Sequence, residues 1–174
     1  MKFNLEESLK ILERTPFVLQ SLLENLPDDW ILNNEGVDTF SPFDVVGHLL
    51  HGEKTDWLTR IEIILSSSSD KKFQTYDRFA QYEESKGKSL QQLLDEFKTG
   101  RLENVQKLKR KNISEADLIK TGIHPKFGDV TLQQLLSTWT IHDLAHIAQI
   151  CRVMSKQYTD EVGPWKEYMN ILNR

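Results

Sequence analysis

The chain has 174 residues, of which 39% are hydrophobic and 28% charged, and its formal net charge is −4. That length suits one domain with a substantial core, expected to span residues 1–174. No apolar run approaches the ~20 residues that span a bilayer, and the acidic balance argues against nucleic acid as the main partner.

The start, Met1-Lys2-Phe3-Asn4-Leu5-Glu6-Glu7, carries acids where a signal peptide needs an apolar stretch. The single cysteine, Cys151, cannot form an internal disulfide, which suits a reducing compartment. Together these lead to the expectation of a cytoplasmic protein with no membrane partner. Cys151 itself reads as a structural thiol.

The first helical region runs from about Leu5 to Leu26. Thr15-Pro16 interrupts it, with Thr15 able to cap a restart that has Pro16 at its first position. A second helix opens with Ser41 as cap and Pro42 at the first position, and extends to about Leu65. Ser66-Ser67-Ser68-Ser69 reads as loop, and the stretch from Ser66 to Lys88 is long for a bundle connection, so it crosses the bundle or shapes a site. A third helix runs from its cap Ser89 to about Lys111. Its end carries Lys107, Lys109, Arg110 and Lys111, cations suited to the negative end of the helix dipole.

Ser114-Glu115-Ala116-Asp117 starts a single turn. The fourth helix opens with the capping-box pair Thr131 and Gln134 and runs to about Lys156. A short C-terminal helix is expected after Pro164. Strand-like alternation with hairpin turns is missing. The expected fold class is therefore all-α, a four-helix bundle.

On the fourth helix, Leu132, Leu135, Trp139, His142, His146, Gln149 and Val153 recur by alternating threes and fours, one seam facing neighbouring helices. Two imidazoles and an amide occupy positions where apolar residues are expected. Buried polar groups cost about 1–3 kcal/mol when unpaired, so something in the core satisfies them. His142 and His146 are four apart on one helical face, within reach of a single ion. The alternative is a pair of core histidines hydrogen-bonded to their neighbours.

A third ligand would come from His48, His51 or His124. His124 precedes Pro125 in a loop. The apolar stripe of the second helix runs through Val46, Leu50, Trp57, Ile61 and Ile64, and both His48 and His51 project away from its centre. Periodicity therefore does not choose His48, and counts somewhat against it. Glu53 does fall on that stripe. It either accepts the free ring N–H of a ligating histidine, pairs with an Arg or Lys, or lies on a frayed, wetter helix face. His142-Asp143-Leu144-Ala145-His146 looks like the zinc-protease pattern His-Glu-x-x-His, but its acid is Asp and points ~100° off the His142 direction. Asp143 is either a general base or a solvated or salt-bridged acid. Asp143 and Glu53 are the candidate catalytic residues.

Ser41-Pro42-Phe43-Asp44-Val45-Val46-Gly47-His48-Leu49 resembles the first motif of the DinB/YfiT-like family. Thr140-Ile141-His142-Asp143-Leu144-Ala145-His146-Ile147-Ala148-Gln149 resembles the second, and the spacing of about ninety residues also fits. The resemblance implies a four-helix bundle with an unusual connection order, often dimeric. It also implies a metal triad of His48, His142 and His146, leaving His51 as a nearby polar group. It implies chemistry with low-molecular-weight thiols such as bacillithiol in some members.

Three neutral imidazoles leave a divalent ion (Zn, Ni, Fe, Co or Mn) its full charge and at least one open position. The leading expectation is a metal-dependent thiol S-transferase of the bacillithiol type acting on a small molecule. The alternatives are a metal-dependent hydrolase, with Asp143 or Glu53 relaying protons, and a non-catalytic metal-binding or interaction module.

Overall fold

A computed structural model describes residues 1–173. Four long helical arms make up the protein. Helix α1 spans Leu5–Leu23, a short α2 follows at Asp28–Leu32, and the second arm is α3 at Pro42–Thr55 continued by α4 at Trp57–Leu65. A short α5 at Ala80–Ser85 precedes α6 at Leu90–Arg110. One turn, α7 at Glu115–Leu118, leads to strands β1, Thr121–His124, and β2, Gly128–Thr131, and then to α8, Leu132–Lys156. The chain closes with 3-10 turns at Gly163–Tyr168 and Asn170–Asn173. No helix among the described residues is long and apolar enough to cross a membrane.

The starts of these helices follow their local sequence. Ser41 with Asp44, Ser89 with Gln92, Ser114 with Asp117 and Thr131 with Gln134 each form a reciprocal capping box. Each box satisfies two backbone donors that the first helical turn leaves open.

Helix α1 packs on α6 and α8, and α3 also packs on α6 and α8. The consecutive arms α1 and α3 therefore face one another across the bundle. An up-down-up-down bundle would instead make them neighbours. The long connection from α4 to α6 joins neighbouring arms: the contacts Glu53–Arg101 and Glu62–Lys111 run in the same direction, so the chain has to return along the bundle before α6 begins.

Two apolar clusters fill the interior. One joins Leu12, Trp57, Ile61, Val105, Leu132 and Trp139. The other joins Leu19, Val46, Leu49, Leu93, Phe97 and Ile150.

Several expectations need correction. Helix α1 is unbroken at Thr15-Pro16, and its cap is Asn4, whose side chain accepts the Glu7 N–H. Pro16 has no N–H for the Leu12 carbonyl. That oxygen instead accepts from Arg101 Nη1 at 3.0 Å, so the bundle supplies the bond the proline removes. The Thr15 hydroxyl donates to the Ile11 carbonyl rather than capping a restart.

The second arm breaks at Asp56, between α3 and α4. The C-terminal segment after Pro164 is 3-10 rather than α-helical.

A β-hairpin is present where no strands were expected. Strands β1 and β2 pair antiparallel from Thr121↔Thr131 to His124↔Gly128. Gly128 takes φ +69° at the tight end, a left-handed conformation that glycine adopts without a Cβ penalty. The hairpin also anchors the long connection: Phe73 N–H donates to the Ile123 carbonyl, and Ile123 N–H to the Lys71 carbonyl.

Candidate metal centre

Helices α3 and α8 bring three imidazoles to one point. His142 Nε2 lies 3.2 Å from His48 Nε2 and 3.1 Å from His146 Nε2. The three ligand atoms all lie within 4.8 Å of one another. His48 is buried, and His142 and His146 are half-buried.

The outer ring nitrogens show which way the lone pairs point. His146 Nδ1 meets Gln149 Oε1 at 2.8 Å. An amide oxygen only accepts, so the imidazole proton sits on Nδ1 and the Nε2 lone pair faces inward. His48 Nδ1 lies 3.3 Å from the Tyr76 hydroxyl, which also reaches the His48 carbonyl at 3.4 Å. Donating to that carbonyl, the hydroxyl can accept the His48 Nδ1 proton. His142 Nδ1 is buried without a partner, and its ring stands edge-on to Trp57.

Burial holds these rings neutral, the form that ligates metal. Desolvation, followed by the neighbouring histidines, lowers His142 from 6.5 to about 2 and His48 to about 4. Burial also lowers His146.

With the His48 and His146 lone pairs turned toward His142 Nε2, a single proton on that nitrogen can bridge only one of the two short contacts, whereas a cation among the three nitrogens satisfies both. Two ligand nitrogens on one tetrahedral zinc stand ~3.3 Å apart, given a Zn–N bond near 2.05 Å. The observed 3.1 and 3.2 Å match that spacing. The donor set fits a divalent ion.

Glu53 and Asp143 meet elsewhere. Arg101 on α6, fully buried, donates from Nε to Glu53 Oε1 at 2.9 Å and from Nη2 to Asp143 Oδ1 at 3.0 Å, and its Nη1 also pairs with Asp143. Asn104 donates to Glu53 Oε2 at 3.0 Å and to the Glu53 carbonyl at 2.8 Å. Neither acid bonds a histidine nitrogen. For Glu53 the arginine partner, not the histidine partner, is the one present.

Burial raises the Glu53 pKa, with Arg101 and Asn104 opposing it. The two carboxylates outweigh burial at Arg101 and hold its guanidinium charged. Because Glu53 shares α3 with His48 and Asp143 adjoins His142 on α8, this clamp sets the two ligand-bearing helices against each other.

His51 is not part of the triad. Its Nδ1 pairs with Glu84 Oε1 at 2.9 Å, tying α3 to α5. His124 sits at the end of β1 and lines the cleft over the triad. That cleft measures about 260 Å³ and is walled by His48, His142, Trp57, Tyr76, Arg60, Arg78 and His124. Cys151 lines a separate cleft with Gln149 and Arg152.

Sequence reasoning missed Arg101, Tyr76, Arg60 and Arg78 as parts of this region. Phe97, Arg101, Asn104 and Leu108 recur at helical spacing and are all buried. A cation on an apolar seam was the available signal for Arg101. Tyr76 and Arg78 lie in irregular chain, where no periodicity marks a facing direction.

A comparison with curated proteins finds no match. Among solved structures, the chain is similar to one described as "YfiT from Bacillus subtilis is a probable metal-dependent hydrolase with an unusual four-helix bundle topology". The identity is 19%, the TM-score 0.74, and the match covers 90% of this chain and 89% of that one. At that identity the likeness speaks to the fold, and it agrees with the crossed helix order seen here. The family model of the DinB superfamily matches residues 11–150, and the chain belongs to that superfamily.

Proposed function

We propose that this protein is a metal-dependent enzyme that activates a small nucleophile at His48, His142 and His146 for attack on a small-molecule substrate. The observation that carries this reading is the convergence of three imidazole Nε2 atoms, two of whose rings, His48 and His142, line an open cleft. A divalent ion held there supplies Lewis acidity and draws the pKa of a water or thiol nucleophile toward ~7.

The chain's own residues have separable tasks. Gln149 and Tyr76 orient His146 and His48. Arg101 aligns α3 and α8 through Glu53 and Asp143, which makes those acids positioning residues rather than proton relays. Trp57, edge-on to His142 and stacked on Trp139 with ring centroids 5.5 Å apart, backs the triad with the apolar core. Tyr76, whose pKa burial raises well above the ordinary phenol value, remains a neutral hydroxyl at the cleft wall.

Hydrolysis is the leading reaction, supported by the printed description of the structurally similar YfiT. Transfer of a low-molecular-weight thiol, such as a bacillithiol-type thiol, is the second. In that case the thiol enters as a co-substrate, because the one cysteine lies in another cleft.

The test starts from metal content by mass spectrometry on tag-free protein and a folded His142→Ala, His146→Ala double variant. The loaded parent is then offered ester, amide and electrophile panels with and without added thiol. Stoichiometric metal lost in the double variant, with turnover in water alone, supports hydrolysis; turnover only with thiol supports transfer. A parent that takes up no Zn, Ni, Mn, Co or Fe(II) would overturn the reading.

A further inference from the structure

The cleft over the triad has an uneven distribution of charge. Arg60 and Arg78 both line it, in a protein whose overall charge is negative. Arg60 is answered by Asp56, Nε to Oδ1 at 2.6 Å, and lies over the Phe73 ring. Arg78 forms no ion pair among the described residues. Its guanidinium carbon lies 4.5 Å from the Phe79 ring centroid, and its N–H donors make no hydrogen bond among the described residues.

Asp56 is the one carboxylate at the cleft wall, and Arg60 already occupies it. The wall therefore carries one surplus cation even before any divalent ion is counted. A planar fork of donors on a wall of net positive charge matches an oxyanion with two or more oxygens. At about 260 Å³ the cleft suits a small molecule rather than a polymer.

We propose that this cleft takes a small-molecule substrate bearing an oxyanion, a carboxylate or a phosphate group, received by Arg78 with Arg60 beside it. The inference deepens the functional reading above and rests on it for the cleft being the substrate site. It needs no metal to be tested.

The probe is the indole N–H of Trp57, which lines the cleft. Its nuclear magnetic resonance signal is followed in nitrogen-15-labelled full-length protein, metal-free and zinc-loaded. Succinate, methyl phosphate and the neutral succinamide are titrated in turn, and zinc content is measured in parallel. The expected result is a saturable shift with at least one oxyanion and none with succinamide at the same concentrations. The oxyanion that binds distinguishes carboxylate from phosphate recognition.

Arg78→Gln should weaken that binding by about tenfold or more in both metal states, while Arg78→Lys recovers part of it. Zinc content should match the parent in both variants. Absence of a shift with either oxyanion overturns the proposal, as does an Arg78→Gln variant with unchanged affinity. A parent that holds no zinc overturns the metalloenzyme reading separately, and the metal-free titration still decides this one.

Discussion

Gln149 Oε1 lies 2.8 Å from His146 Nδ1, less than one helical turn along α8. The amide presents only an acceptor there, so it selects the tautomer whose Nε2 faces His48 and His142. Outer partners of this kind typically change metal affinity 10–100-fold when removed. Gln149→Leu should therefore weaken zinc binding by about 10–100-fold, measured by chelator competition, with the helical circular dichroism unchanged. Gln149→Glu keeps an acceptor and should retain most of the affinity. An unaltered affinity in the leucine variant would remove Gln149 from the site.

Arg101 is fully buried between Glu53 and Asp143. Removing the guanidinium leaves Asp143 unpaired and Glu53 with Asn104 alone, and breaking a buried pair in this way costs about 3–5 kcal/mol. Arg101→Met should lower stability by that amount in urea titration. Arg101→Lys should recover little, because one ammonium cannot reproduce the forked bonds to two acids and the Leu12 carbonyl.

The metal-free protein should lose stability as the pH falls below the ordinary histidine range. His48 titrates near 6.5 when unfolded and near 4 when folded, because burial disfavours its cation. In that window the unfolded chain takes up a proton that the folded chain refuses, so stability is full above 6.5 and declines as pH falls toward 4. At pH 5 the His48 contribution to the loss is about 2 kcal/mol. Urea midpoints at pH 7.5 and 5.0 should differ accordingly, and His48→Gln should flatten the slope. A parent and variant with equal slopes would contradict the neutral, buried His48.

Gly47 precedes His48 where α3 meets α5. A Cβ there would lie 2.5 Å from the Ser85 hydroxyl and 2.6 Å from Gln81 Oε1, and both side chains are buried. Gly47→Ala should force α5 outward and cost about 1–3 kcal/mol. It should also weaken the His51–Glu84 contact, seen as a changed His51 ring signal by nuclear magnetic resonance at constant pH.

The chain by itself determined the four helical arms, because capping residues and threefold–fourfold apolar spacing act within a few residues of one another. It also determined that His142 and His146 share a face, since that is helix geometry. It did not determine His48. Residues Val45 to Glu53 are buried on every side, because α5 and the long connection cover the face of α3 that would otherwise be solvated. On a helix enclosed all round, an apolar stripe no longer marks the inside, and only the motif resemblance pointed to His48.

Tertiary structure alone decided the rest. The Pro16 position was a break by local rules, yet Arg101 reaches across the bundle to the carbonyl that the proline leaves open. Glu53 and Asp143 are far apart in sequence, and only the folded bundle brings both onto the same arginine. The hairpin at Thr121–Thr131 gains its place from pairing with the long connection, a contact between segments some fifty residues apart. Such contacts depend on which helices become neighbours, and the crossed order of this bundle sets that only once the whole chain is folded.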